Sequence, residues 1–128
     1  MSDPKPEVGS VAWVDLTVPE AETLRDFYRD VTGWNPKPVS MGDYSDYTMH
    51  TPASNHAVTG VCHARGGNAG LPAQWLIYII VTDLDASIAR CVELGGKVIA
   101  GPKPMGLQDR FCVIQDPAGA VAALYQAG

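Results

Sequence analysis

Trp13-Val14-Asp15-Leu16-Thr17-Val18-Pro19 decides the fold, because the pattern it starts occurs twice in the chain. The residues before the proline alternate. Val14, Leu16 and Val18 form one face, while Trp13, Asp15 and Thr17 form the other, as in a strand with a buried side. Pro19 suits the first turn of a helix, where its missing N–H costs nothing. Leu24, Phe27, Tyr28 and Val31 then recur at helical spacing, and Thr32-Gly33 stops the helix with a glycine placed for a left-handed cap. Adding 63 to the strand positions gives Ile77, Ile79 and Val81, within Trp75-Leu76-Ile77-Tyr78-Ile79-Ile80-Val81. A second helix follows, with Leu84, Ile88, Cys91, Val92 and Leu94 as its apolar face and Gly95-Gly96 at its end. Thr82-Asp83-Leu84-Asp85 resembles a capping box at its start, with Asp in the last place.

Three short strands fit behind each helix: about 34–41, 46–51 and 57–64, then about 97–100, 109–115 and 120–126. Gly42-Asp43 and Asp116-Pro117-Ala118-Gly119 carry turn chemistry. Residues 1–8 read as a flexible tail, and the glycine-rich 65–73 as a linker. The pattern predicts one domain over 9–128, with module 1 at about 9–64 and module 2 at about 74–128. The expected class is α+β: two β-α-β-β-β modules forming a curved mixed sheet around a central cavity.

Composition narrows the function. The chain has 128 residues, 46% of them hydrophobic, and a formal net charge of −5 with only 9 Lys plus Arg. With no basic stripe, binding to a nucleic-acid backbone is electrostatically disfavoured. The densest apolar run, Trp75 to Val81, is too short to span a bilayer, so no membrane partner is expected. The first residues lack a basic start and an apolar stretch of the secretory kind, and the expected location is cytoplasmic. Cys62, Cys91 and Cys112 have no CxxC spacing and read as small buried thiols. His50, His56 and His63 read as surface or strand-edge imidazoles, and Cys62 and His63 should point to opposite faces of one strand.

The strings Phe27-Tyr28…Gly33-Trp34 and Asp116-Pro117-Ala118-Gly119, on this duplicated architecture, resemble the vicinal oxygen chelate superfamily. That group includes glyoxalase I, bleomycin-resistance proteins and extradiol dioxygenases. The similarity runs over roughly 10–126 and is nearest to the small single-domain glyoxalase/bleomycin resistance-like members. Trp13-Val14-Asp15 and Trp75-Leu76-Ile77-Tyr78 match their first and fifth strands. Metal-dependent members are similar in taking His and Glu ligands from the first, fourth, fifth and eighth strands. Carried over, those positions fall on Trp13, near Gly60, on Leu76 and on Ala123. None offers a lone pair to a cation, so the resemblance implies neither a metal nor any other cofactor here. It also implies a homodimer.

Strand alternation and the family register together place Trp13, Asp15, Gln74, Leu76, Tyr78, Ala123 and Tyr125 on the concave side, with Tyr47, Met49, Arg110 and Cys112 as further lining residues. Trp13 reads as either pocket wall or core, and Trp75 as helix-packed core. Apolar and aromatic walls with a few polar groups suit a small-molecule ligand. Asp15 is the sharpest of these residues: beside Trp13 its carboxylate would be partly desolvated and could serve as a general base, or it could pair with Arg110 or a tyrosine and shape the pocket. The leading expectation is a metal-independent binding protein for a planar, partly aromatic ligand. The alternative is an acid–base isomerase or lyase using Asp15, and a third reading is a metalloenzyme with an unusual ligand set.

Overall fold

The computed structural model describes residues 5–106 and 108–128, so Met1–Pro4 of the expected tail lie outside the described residues. The chain divides into two compact units, Trp13–Trp75 and a second made of Leu76–Gly128 with the residues up to Ala12.

The first unit takes its sheet from β1 (Val11–Val18), counted from Trp13 onward, β2 (Asn35–Ser40), β3 (Ser45–His50) and β4 (Ala57–His63), in the order β2-β3-β4-β1. β1 and β4 are parallel and the hairpin pairs are antiparallel, so the sheet is mixed. Helix α1 (Ala21–Thr32) covers one face. Its buried line is Ala21, Leu24 and Tyr28, packed on Leu16, Val18, Met49 and Val61. Phe27 and Val31, expected on that line, are 53% and 64% exposed. Phe27 sits further round the helix from the line of Ala21, Leu24 and Tyr28, and Val31 lies in the last turn of α1, one residue before its end. Pro19 lies in the turn ahead of the helix rather than in its first turn. At the other end Gly33 is left-handed (φ 82°) and donates its N–H to the Arg29 carbonyl, as the sequence predicts.

The second unit repeats the plan. β5 (Trp75–Ile80), β8 (Val121–Gln126), β7 (Asp109–Gln115) and β6 (Lys97–Met105) stand in that order, and α2 (Leu84–Glu93) packs Leu84 and Ile88 against Ile79, Cys112, Ile114 and Leu124. The 63-residue offset is exact at the level of strand pairing. Asp15 is opposite Gly60 in one unit, and Tyr78 is opposite Ala123 in the other. The α2 cap is Asp83, whose side chain accepts from Ala86 N at 3.1 Å, rather than the Thr82 of the expected box. Val92 and Leu94 are exposed at 58% and 60%, past the line that faces the sheet. β6 runs longer than expected and changes register twice against β7, where Gly101 (φ 80°) bends the strand.

The linker holds only a short turn of 3-10 helix, Gly66–Asn68. Residues 7–10 are hydrogen-bonded into the second unit: Gly9 N donates to Ile80 O, and Ile80 N to Ser10 O, at 2.8 and 2.9 Å. Among the described residues no helix is long and apolar enough to cross a membrane.

Candidate functional site

Strand β1 shows two chemistries on its two faces. Leu16 and Val18 go under α1, while Trp13, Asp15 and Thr17 point away from it. The cross-strand partners extend that helix-free face: Gly60 and Cys62 from β4, and Thr48 from β3. The face therefore gathers an indole, a carboxylate, two hydroxyls and a thiol over the bare backbone of Gly60.

Asp15 is fixed there. The Trp13 indole N–H donates to Asp15 Oδ1 at 2.5 Å. The same oxygen occupies the space that a Cβ at position 60 would fill, with Asp15 Cγ only 3.4 Å from that point. Glycine at 60 is thus a requirement of the carboxylate's position, not of backbone conformation. Cys62 Sγ flanks the same spot at 3.6 Å. Burial pushes the Cys62 thiol far up, and the nearby negative charges of Asp15 and Asp46 push it further. At neutral pH it is a protonated thiol and no nucleophile.

In the second unit, Leu76, Tyr78 and Ala123 lie on the face away from α2, at 4%, 8% and 0% exposure. Tyr78 meets Phe111 with ring centroids 6.2 Å apart. Tyr125 is on the same face and donates its hydroxyl to Asp109. Burial and then the Asp109 carboxylate push its phenol up to about 12. Gln74 stands half-buried just ahead of β5 in the first unit, and Trp75 packs under α1 with Tyr28 and Trp34.

Four expected lining residues turn out on the helix side of their sheets. Met49 is wholly buried in the α1 core, and Tyr47 packs beside it beneath the Arg25 guanidinium, 4.7 Å from the ring centre. Their repeat equivalents behave alike. Cys112 is wholly buried against Leu84, and Arg110 makes a two-pronged contact with Asp85 of α2 at 3.0 and 3.1 Å. Arg110 is thereby committed to a carboxylate of its own unit. The cause is register: a one-residue difference in a strand exchanges its faces.

A second constellation escaped the sequence reading. His63 is not a surface imidazole, since its side chain is only 10% exposed. Its Nε2 lies 2.7 Å from Glu22 Oε2 on α1, and its Nδ1 lies 3.2 Å from Asp46 Oδ1 on β3. Tyr44 meets its ring edge-on at 5.3 Å, and the Arg65 guanidinium stands 3.9 Å from the Tyr44 ring centre. Burial pushes the imidazole down, but Glu22 and Asp46 outweigh it and raise His63 overall. No spacing motif links residues 22, 46 and 63, so only the fold reveals the cluster. Cys62, by contrast, does point to the opposite face, as alternation requires.

The fit to a metal can be judged from the donors. Trp13, Gly60, Leu76 and Ala123 supply an indole, no side chain, an isobutyl group and a methyl group, none of which coordinates a divalent ion. The residues at these positions do not fit a metal centre. Among the described residues, no group of three or more His, Cys, Asp or Glu side chains is arranged to hold one.

A sequence profile of the Glyoxalase/Bleomycin resistance protein/Dioxygenase superfamily matches residues 10–124, and the chain belongs to that superfamily. Among its relatives is the "Putative glyoxylase CFP32" of Mycobacterium bovis, 34% identical over 124 residues, which cover 93% of this chain and 46% of the relative. The Anthracycline biosynthesis protein DnrV of Streptomyces peucetius is 33% identical over 131 residues, covering 94% of this chain and 48% of the relative. The chain thus spans about half the length of these relatives. In fold it is similar to a methylmalonyl-CoA epimerase solved with methylmalonyl-CoA and NH4+, at TM-score 0.56, 13% identity and coverage of 95% and 96% of the two chains.

Proposed function

We propose that this chain is a metal-independent small-molecule binding protein of the glyoxalase/bleomycin-resistance type. Its ligand is planar and partly aromatic, and it lies against the helix-free face that carries Trp13 and Asp15. The observation that carries this reading is the Trp13–Asp15–Gly60 arrangement, in which an indole fixes a carboxylate over a residue that has no side chain. A fixed carboxylate is a directional acceptor for a ligand hydroxyl or ammonium, and the indole beside it offers an apolar surface for a ring. The donor chemistry at the four family ligand positions supports metal independence. The relative named for anthracycline biosynthesis supports the planar ligand class. Thermal-shift screening of the purified, chelator-treated protein against planar aromatic metabolites tests this, because a ligand that binds only the folded state raises the midpoint.

The second reading is acid–base chemistry at Asp15, as in an isomerase or lyase. It is favoured by the partial exposure of that carboxylate on the helix-free face and by the glyoxylase name of a 34%-identical relative. Asp15→Asn separates the two readings: it abolishes turnover in the second and weakens binding in the first. The proposal includes a symmetric homodimer working in the cytoplasm, which sedimentation and fractionation test.

A further inference from the structure

On the α1 side of the first unit, away from the Asp15 face, a cavity of about 320 Å³ lies between the helix and the β2–β3 hairpin. It is lined by Arg25, Arg29, Pro36, Pro38, Ser45 and Tyr47. We propose that this cavity is a separate binding site for a planar aromatic carboxylate. The size falls at the lower end of small-ligand cavities, which run from about 300 to 1,000 Å³.

The lining has two guanidinium groups and two hydroxyls but no carboxylate, in a protein of net charge −5. Asp26 and Asp30 hold the arginines from outside the cavity. Arg25 gives Nε and Nη2 to Asp26 at 2.9 and 3.2 Å, and Arg29 gives Nε to Asp30 at 3.1 Å and Nη1 to Asp26 at 3.4 Å. These contacts offset much of the charge, so a bare anion gains little from it. They also fix both planes, and the Tyr47 ring beneath Arg25 fixes one of them further. The Nη–H groups not given to Asp26 and Asp30 are thereby held in fixed directions, and donors that lose little entropy on binding suit a carboxylate. The rest of the wall includes two proline rings, Pro36 and Pro38, rigid apolar surfaces that a ligand with a ring of its own covers best. Guanidinium donors and proline rings lining one cavity therefore favour an aryl carboxylate over phosphate or an aliphatic acid.

The test is a titration of 15N-labelled protein with sodium benzoate, followed through the Arg25 and Arg29 Nε–H signals, with acetate and inorganic phosphate run in parallel. Benzoate should give a saturable shift in the millimolar range, and acetate and phosphate should bind about tenfold more weakly. Arg29→Gln, at a half-exposed position that leaves the core untouched, should weaken benzoate about tenfold, and Arg29→Lys should not restore it. Asp15→Asn should leave benzoate binding unchanged. The proposal is overturned if benzoate gives no saturable shift, if acetate or phosphate binds as well, if Arg29→Gln binds normally, or if Asp15→Asn abolishes the shift.

Discussion

His63 Nε2 lies 2.7 Å from Glu22 Oε2, and this contact ties strand β4 to helix α1. Asp46 faces the other ring nitrogen, so both nitrogens meet carboxylate oxygens. A neutral imidazole carries one N–H and can satisfy only one of them, whereas the imidazolium satisfies both.

The pH dependence follows. Because folding raises His63, its contribution is complete below the ordinary histidine value of about 6.5 and is lost as pH rises through the raised value. Glu22 moves the other way. Its hydrogen bond to His63 lowers it, so its contribution is present above the ordinary carboxylate value and is lost as pH falls through the lowered one. Thermal unfolding followed by circular dichroism should give a higher midpoint at pH 6 than at pH 9. His63→Gln should flatten that alkaline fall, and an unchanged slope would remove the pair as its cause.

Gly60→Ala places a methyl group where Asp15 Oδ1 now sits. Overpacking of this kind costs about 1–3 kcal/mol, and the carboxylate must swing away. Urea denaturation should show that loss, and ligand affinity should fall with it. Asp15→Gly in the same background relieves the overlap and should recover stability without recovering affinity.

Trp13→Phe keeps a ring but removes the indole donor to Asp15. A lost hydrogen bond to a charged group is worth about 1.5–3 kcal/mol, an upper bound here because Asp15 is partly exposed. The variant should be folded and slightly less stable, with affinity reduced about tenfold in a calorimetric titration. Unchanged affinity would show that the indole does not position the carboxylate.

Met49 and its repeat equivalent Cys112 are both wholly buried under their helices. Met49→Ala should destabilise by about 2–5 kcal/mol in chemical denaturation. Burial pushes Cys112 up to about 11, and the native thiol should therefore react slowly with iodoacetamide at pH 8. Rapid labelling without unfolding would contradict the buried placement.

These two residues also show what the sequence can and cannot reveal. The β1 and β5 alternation, the Gly33 cap and the 63-residue offset are local signals, and the structure keeps all three. The facing of β3 and β7 is set by pairing with distant strands, Tyr47 with Val61 and Cys112 with Leu124. A short amphiphilic stretch such as Asp46-Tyr47-Thr48-Met49 fits either face until that pairing is known. Because the two modules repeat, one such choice turned Tyr47, Met49, Arg110 and Cys112 together. The Asp15 face was legible because β1 has a clear apolar side. The Glu22–His63–Asp46 cluster was not, since its members come from three separate elements.

The most direct test of the account is thermal-shift screening of metal-free protein and its Asp15→Asn variant with planar aromatic ligands. The account predicts that at least one ligand raises the midpoint of the chelator-treated wild type and that Asp15→Asn weakens that ligand about tenfold or more. It is contradicted if every ligand needs a restored divalent metal, or if Asp15→Asn binds as tightly as the wild type.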